Sequence, residues 1–147
     1  MRRILTVAGL ATLTAGAIAL PAAADSERRA LTTKLSGAEE VPAPGDPNGK
    51  GHATIRIKGD DTVCFNIVTQ RIAGSTAAHI HEAPRGEAGP IVVRLFSGRS
   101  DATSRRGCAD DVDPEIIQGL REDPSDYYVN VHNQEFPAGA VRGQLGD

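Results

Sequence analysis

The chain is poor in aromatic side chains, which make up 3% of its 147 residues and include no tryptophan. Proteins that hold sugar rings or unstacked bases commonly present aromatic side chains to them, so the composition argues against both kinds of surface. Lysine is scarce as well, with three residues against thirteen arginines, and the net charge is −3 with no basic block. Because nucleic-acid binding needs clustered positive charge, we predict that nucleic acid is not a partner.

Long apolar runs are missing except at the start of the chain. Arg2 and Arg3 precede the apolar residues 4–20, and Pro21 and three alanines follow. A positive start, an apolar middle and a small-residue end are typical of a secretory signal peptide. We predict a signal peptide over residues 1–24, a secreted or cell-envelope protein, and no membrane span after cleavage. An uncleaved N-terminal anchor is the alternative.

The mature chain would be a single acidic domain. Removal of residues 1–24 takes away two arginines and no acidic residue, so the net charge changes from −3 to −5. Residues 25–147 are enough for one domain, and we place its core at about residues 31–145.

Cysteine is limited to Cys64 and Cys108. In an oxidising compartment an even number of cysteines indicates disulfide bonding, so we predict that these two form a bridge. A pair of metal-binding thiolates is the alternative. No Cys-x-x-Cys motif is present, and a redox-active site is therefore not expected.

Apolar and polar residues alternate through most of the mature chain, which is typical of half-buried strands. One segment differs, because Asp113 can cap a helix, Pro114 suits its first position, and three apolar residues of 116–120 share one side. Together these patterns predict an all-β fold, an antiparallel Greek-key β-sandwich with one short helix near residues 114–122. The seven predicted strands lie near residues 31–35, 55–57, 63–67, 78–81, 91–96, 127–132 and 140–145.

Histidines are the main candidates for chemistry. His79 and His81 are two residues apart on a predicted strand, so their side chains leave the same face, and the alternation in the last hairpin places His132 on an outward face too. Three imidazoles that meet on one surface could bind zinc or copper. The alternative is that they hydrogen-bond to neighbouring loops and stabilise the hairpin ends. His52, after a glycine-rich loop, is a weaker candidate ligand.

The same alternation gives Asn130, Arg142 and Gln144 the outward parity on the last two strands. This row could recognise a partner or could have a structural role.

Signs of catalysis are weak. No serine lies in a Gly-x-Ser-x-Gly elbow, and neighbouring acids such as Glu39 and Glu40 would point to opposite faces of a strand or lie in solvated turns. The sequence therefore leans against an enzyme and names no catalytic residue.

Three motifs carry a family resemblance. They are residues 35–42 (LSGAEEVP), residues 78–81 (AHIH) with Gly86 and Gly89-Pro90, and residues 128–132 (YVNVH) with 136–139 (FPAG) and 142–145 (RGQL). In this order they resemble the CHRD domain, named for chordin and also found in small secreted bacterial proteins. The proline pair usual after the first motif is split here as Pro42-Ala43-Pro44. The resemblance implies an extracellular, immunoglobulin-like β-sandwich and no settled activity.

A fainter similarity concerns metal. Residues 78–82 (AHIHE), followed by a glycine loop, look like the histidine strand of copper/zinc superoxide dismutase. The binuclear dismutase centre needs more histidines than the four in this chain. The likeness therefore implies at most a mononuclear copper or zinc site.

Two hypotheses follow for function. The first, which the sequence favours, is a non-catalytic extracellular interaction module with an unknown cell-surface or extracellular partner. The second is a mononuclear copper- or zinc-binding protein that uses His79, His81 and His132 for metal handling or a weak redox reaction.

Overall fold

A computed structural model describes residues 30–146 of the chain. The predicted signal peptide, residues 1–24, lies outside the described residues and stays a prediction.

Eight strands, one α-helix and two short 3₁₀ helices make up the described part of the chain. The 3₁₀ helices are Gly37–Glu39 and Pro124–Asp126, and the α-helix, α1, is Pro114–Glu122. The strands are β1 (Leu31–Ser36), β2 (Lys50–Lys58), β3 (Thr62–Gln70), β4 (Ser75–Glu82), β5 (Ile91–Ser100), β6 (Ser104–Ala109), β7 (Tyr127–Asn133) and β8 (Val141–Gln144).

All eight strands belong to one antiparallel sheet, in the order β5-β4-β7-β8-β1-β2-β3-β6. The sheet curls until its two edges approach each other. The guanidinium of Arg105 on β6 lies 4.0 Å from the centre of the Phe96 ring on β5, and the Phe65 and Phe96 ring centres are 6.0 Å apart. The sheet is therefore nearly a barrel. The predicted all-β antiparallel class is confirmed, whereas the Greek-key sandwich arrangement stays a prediction.

The core lies inside the curled sheet and follows the alternation in the sequence. Ile55 on β2 and Val63 and Ile67 on β3 are buried, while their chain neighbours face outward. Each buried aliphatic side chain of this size contributes about 1.5–3 kcal/mol by leaving water. Helix α1 adds Ile117 and Leu120 to the same core.

The predicted helix is confirmed with its predicted start. The Asp113 side chain accepts a hydrogen bond from the Glu115 backbone N–H at 2.9 Å, and Pro114 occupies the first turn. Both features satisfy the requirements of a helix N-terminus, where backbone N–H groups lack partners within the helix.

Strand β6 is the element that the alternation did not predict. Its sequence, SRRGCA, has no large aliphatic residue, and its side chains are exposed or half-buried. It forms an edge of the sheet and pairs with β3 alone. A strand that buries little apolar surface shows no alternation of apolar and polar residues from which it could be predicted.

The predicted disulfide, Cys64–Cys108, is confirmed. The two cysteines are direct partners in the β3–β6 register. The bridge therefore ties an edge strand with little buried surface to the core strand β3, across 44 residues of chain.

Loss of this bridge should destabilise the protein. We expect the Cys64→Ala/Cys108→Ala double variant to lose roughly 2–4 kcal/mol of unfolding free energy and about 10 °C in Tm, because a long loop is no longer closed in the unfolded chain. Thermal unfolding by circular dichroism measures this change. Identical melting curves for parent and variant, with a thiol assay confirming that the parent is oxidised, would contradict the expectation.

Candidate functional site

Three of the four histidines meet on the outer face of the sheet. His79 and His81 lie on β4 and His132 lies on the adjacent strand β7, where the register pairs Ala77 with His132. One ring nitrogen from each histidine lies within 4.8 Å of the others, and all three side chains are half-buried. The predicted meeting of these imidazoles is thus observed, while His52 on β2 is not in the group.

Backbone carbonyls set the tautomers of two of these rings. His81 Nδ1 lies 2.9 Å from the carbonyl oxygen of Gly89, and His132 Nδ1 lies 3.0 Å from that of Pro137. A carbonyl oxygen only accepts hydrogen bonds, so both Nδ1 atoms carry the proton. In the neutral rings, Nε2 of each histidine then holds the lone pair.

The Nε2 atom of His81 is buried and has no hydrogen-bond partner within the described chain. Buried polar atoms are nearly always paired, because an unpaired one loses its hydration without compensation. A buried lone pair whose ring is oriented by a carbonyl at the opposite nitrogen is the arrangement expected of a metal ligand.

The third ring, that of His79, contacts the ring of His132. His79 Nδ1 lies 3.0 Å from His132 Nε2. The Oδ1 atom of Asn130 lies 3.1 Å from the same His132 nitrogen. His132 Nε2 is thus in contact with both side chains.

Burial keeps the three rings neutral. It lowers the pKa of His79 from 6.5 to about 4, with further lowering by His132, His81 and Arg94. Burial also lowers the pKa values of His81 and His132. The Gly89 carbonyl and the nearby Asn130 side chain act in the opposite direction at His81, and the Pro137 carbonyl does so at His132. Neutral imidazole is the form that binds metal ions.

Two side chains, Tyr128 on β7 and Arg142 on β8, form a stack on His81 of this group. The Tyr128 ring is nearly parallel to that of His81, with ring centres 4.8 Å apart and an angle of 11°. The Arg142 guanidinium lies 3.4 Å from the centre of the Tyr128 ring. The Tyr128 hydroxyl accepts a hydrogen bond from the Gly89 N–H at 3.3 Å. Gly89 thus contacts both rings of the stack.

Residues 83–90, which we call the covering loop, lie over the outer face of β7 and β8. Arg142 donates to the carbonyl oxygens of Glu87 at 2.7 Å and Pro84 at 3.2 Å. Gln144 Nε2 donates to the carbonyl oxygens of Ala83 at 2.8 Å and Ser125 at 2.7 Å. These bonds join the covering loop and the segment at Ser125 to strand β8.

Gly89 allows the covering loop to approach the sheet closely. A Cβ atom at this position would lie 1.9 Å from the carbonyl oxygen of Glu82. The carbonyl of Gly89 could therefore not reach His81 if the residue had a side chain.

The predicted outward row has the predicted parity, but it is not accessible. Asn130, Arg142 and Gln144 are 3%, 2% and 3% exposed, because the covering loop and the segment around Ser125 lie over β7 and β8. Their hydrogen bonds favour the structural role that the sequence left open. Alternation along a strand identifies the face of a residue, but it carries no information about what covers that face.

Two residues of the site had no role predicted from their sequence positions. Gly89 and Tyr128 belong to quoted motifs, yet only the structure shows that they orient His81. The signal available in the sequence was the glycine between two predicted strands, which indicates a turn or a close backbone approach.

Glu40 is a second buried titratable group near Arg142. It follows the first 3₁₀ helix and is buried, and its Oε1 atom has no hydrogen-bond partner in residues 30–146. Burial raises its pKa from 4.5 to about 7, while the positive charge of Arg142 acts in the opposite direction.

Taken together, the fold and site define a disulfide-bridged all-β domain in which a buried arginine holds a loop against the sheet, beside a group of three histidines. The chain belongs to the CHRD family, since the family model of the CHRD domain matches residues 31–145. None of the curated proteins gives a significant match. Nor does any of the solved structures. Among residues 30–146, no helix has the length and apolar character needed to cross a membrane.

Replacement of Arg142 should destabilise the domain strongly. We expect Arg142→Met to lose about 3 kcal/mol of unfolding free energy, because it removes the hydrogen bonds from the buried guanidinium to the Glu87 and Pro84 carbonyls. Arg56→Met, an exposed arginine on β2, is the matched control and should change stability by less than about 0.5 kcal/mol. Chemical denaturation measures both, and equal effects of the two substitutions would show that the guanidinium does not hold the loop.

The pH dependence of the unfolding free energy should reflect the ionisation of the Glu40 carboxyl group. Its pKa is raised from 4.5 to about 7 in the folded state, so its favourable contribution is complete below pH 4.5 and is lost as the pH rises through 7. We expect the Glu40→Gln variant to show no such loss of stability. The difference in unfolding free energy between variant and parent should therefore shift in favour of the variant from pH 4.5 to pH 8. Denaturation across this pH range tests it, with the exposed Glu135→Gln as control. A parent-like pH profile for Glu40→Gln would contradict the prediction.

Proposed function

We propose that this CHRD domain binds one transition-metal ion through His79, His81 and His132. The observation that carries the proposal is the buried Nε2 of His81, which has a lone pair and no hydrogen-bond partner among the described residues, in a ring oriented by the Gly89 carbonyl. A purely structural histidine would pair both nitrogens or expose one of them to water.

The donor set fits zinc or copper. Neutral imidazoles suit both metals, and ligand nitrogens of a tetrahedral site lie roughly 3.3 Å apart when each metal–nitrogen distance is about 2.0–2.1 Å. The observed separations extend from 3.0 Å between His79 and His132 to at most 4.8 Å within the group. Small side-chain rotations would bring all three nitrogens to bonding distance, and an ion bound at His79 Nδ1 would require the neutral tautomer of that ring in which Nε2 carries the proton.

The proposed role is metal handling outside the cytoplasm, at a secreted or cell-envelope location. The disulfide and the CHRD family are consistent with such a location. No residue is assigned to catalysis. Three protein ligands leave one position of a four-coordinate ion for water or an external ligand, which suits an ion that must be taken up and released.

The interaction-module hypothesis has less support from the geometry. The row of Asn130, Arg142 and Gln144, on which a recognition surface was expected, is covered by the loop, so a partner would have to displace that loop. Binding of a partner elsewhere on the surface stays a prediction.

Direct titration tests metal binding. We expect the tag-free chain to bind one Zn²⁺ or Cu²⁺ ion in isothermal titration calorimetry, and we expect His81→Ala to weaken binding at least tenfold because it removes the oriented lone pair. His52→Ala, which removes an exposed histidine outside the group, is the matched control and should bind like the parent.

Two results would refute the site. One is the absence of binding by either ion at micromolar protein concentration. The other is parent-like affinity in a His81→Ala variant whose circular dichroism spectrum shows an intact fold.

A further inference from the structure

A groove separate from the three histidines lies beside the covering loop. It has a volume of about 670 Å³ and is lined by residues of β1 and β2, by Glu39 of the first 3₁₀ helix and by Arg85 of the covering loop. Ligand pockets in proteins commonly have volumes of about 300–1,000 Å³. The three clustered histidines are not among the residues that line the groove, so it is a second candidate site.

Four polar side chains of β1 and β2 line this groove. The register places Lys34 opposite His52 and Ser36 opposite Lys50. These positions alternate with buried ones along both strands, so the four side chains leave the outer face of the sheet. Ammonium groups are hydrogen-bond donors that cannot accept, and the serine hydroxyl also donates. The groove therefore presents donors and positive charge.

The positive charge of the two lysines is not compensated. Neither forms an ion pair with another residue of the described chain, and the carboxylate of Glu39 is paired with Arg85 instead. The chain has only three lysines and a net charge of −3, yet two of the lysines line this one groove. A local positive potential on an acidic protein is complementary to an anionic partner.

The spacing of the lysines favours an extended acidic peptide. Lys34 and Lys50 are diagonal neighbours in the β1–β2 pairing, and such residues lie about 7–8 Å apart. In an extended peptide, side chains i and i+2 project to the same side and are separated by about 6.5 Å. Among the described residues that line the groove, none is aromatic, which argues against a sugar ring as the ligand.

We propose that this groove binds an extended acidic segment of a partner protein, in which two acidic side chains at positions i and i+2 pair with Lys34 and Lys50. The inference goes beyond the proposed function and does not depend on it, because the groove is built on β1 and β2 whereas the histidines lie on β4 and β7.

A nuclear magnetic resonance titration of the ¹⁵N-labelled, oxidised, tag-free chain tests the groove. The probe is the capped peptide Ser-Glu-Ser-Glu-Ser at low salt. We expect saturable shifts of the amide signals of residues 32–36 and 50–52, and binding about fivefold weaker at high salt, because exposed charges are screened. The isomer Ser-Glu-Glu-Ser-Ser should bind about threefold more weakly, because adjacent side chains of an extended chain project to opposite sides.

Lysine substitutions test the residues. Lys34→Gln and Lys50→Gln should each weaken binding of Ser-Glu-Ser-Glu-Ser about threefold, as expected for the loss of an exposed ion pair. Lys58→Gln removes the third lysine, which is exposed on β2 outside the groove. It is the matched control and should bind the peptide like the parent. Zn²⁺ binding should be the same in all three variants and the parent.

Four results would overturn the inference. The first is the absence of saturable shifts at residues 32–36 and 50–52. The second is equal weakening by Lys58→Gln and Lys34→Gln, which would indicate attraction to charge anywhere on the surface. The third is equal binding of the two isomeric peptides. The fourth is tighter binding of a carboxylated oligosaccharide, trigalacturonate, than of the peptide at the same amides.

These outcomes are distinguishable from a failure of the proposed function. None of the four bears on metal binding by the histidines, and a chain that binds neither Zn²⁺ nor Cu²⁺ would refute the metal site without bearing on the groove.

Discussion

The buried guanidinium of Arg142 is the contact on which the rest of the site depends. It joins β8 to backbone carbonyls that lie 55 and 58 residues away in the chain and so holds the covering loop against the sheet. The loop in turn brings the Gly89 carbonyl to His81. Because a buried cation without hydrogen-bond partners is very costly, arginine and loop are stable only together.

This arrangement explains why the histidines are both ordered and incompletely satisfied. Carbonyl groups hold the Nδ1 protons of His81 and His132, Tyr128 packs on the His81 ring, and burial keeps the imidazoles neutral. The chain supplies no partner for His81 Nε2 among its described residues. A preformed group of this kind loses little conformational freedom when it binds an ion.

Sequence patterns predicted the local elements well where burial or a covalent bond left a clear trace. Asp113 and Pro114 marked the helix start, two cysteines formed the predicted bridge, and the spacing of His79 and His81 placed both on one face. Strand β6 was missed because its stability comes from pairing with β3 and from the disulfide rather than from a buried apolar face. Such support leaves no periodic signal in the residues themselves.

The sequence by itself determined the antiparallel all-β class, the short helix and the face from which His79, His81 and His132 project, since these follow from side-chain period and local backbone chemistry. It also determined the bridge, since an even number of cysteines indicates disulfide bonding. The tertiary structure alone decided that the face around Arg142 and Gln144 is covered. It also decided that β4 and β7 are neighbours, which brings His132 to His79. Both outcomes depend on contacts between segments about 50–60 residues apart, and a local pattern carries no record of them.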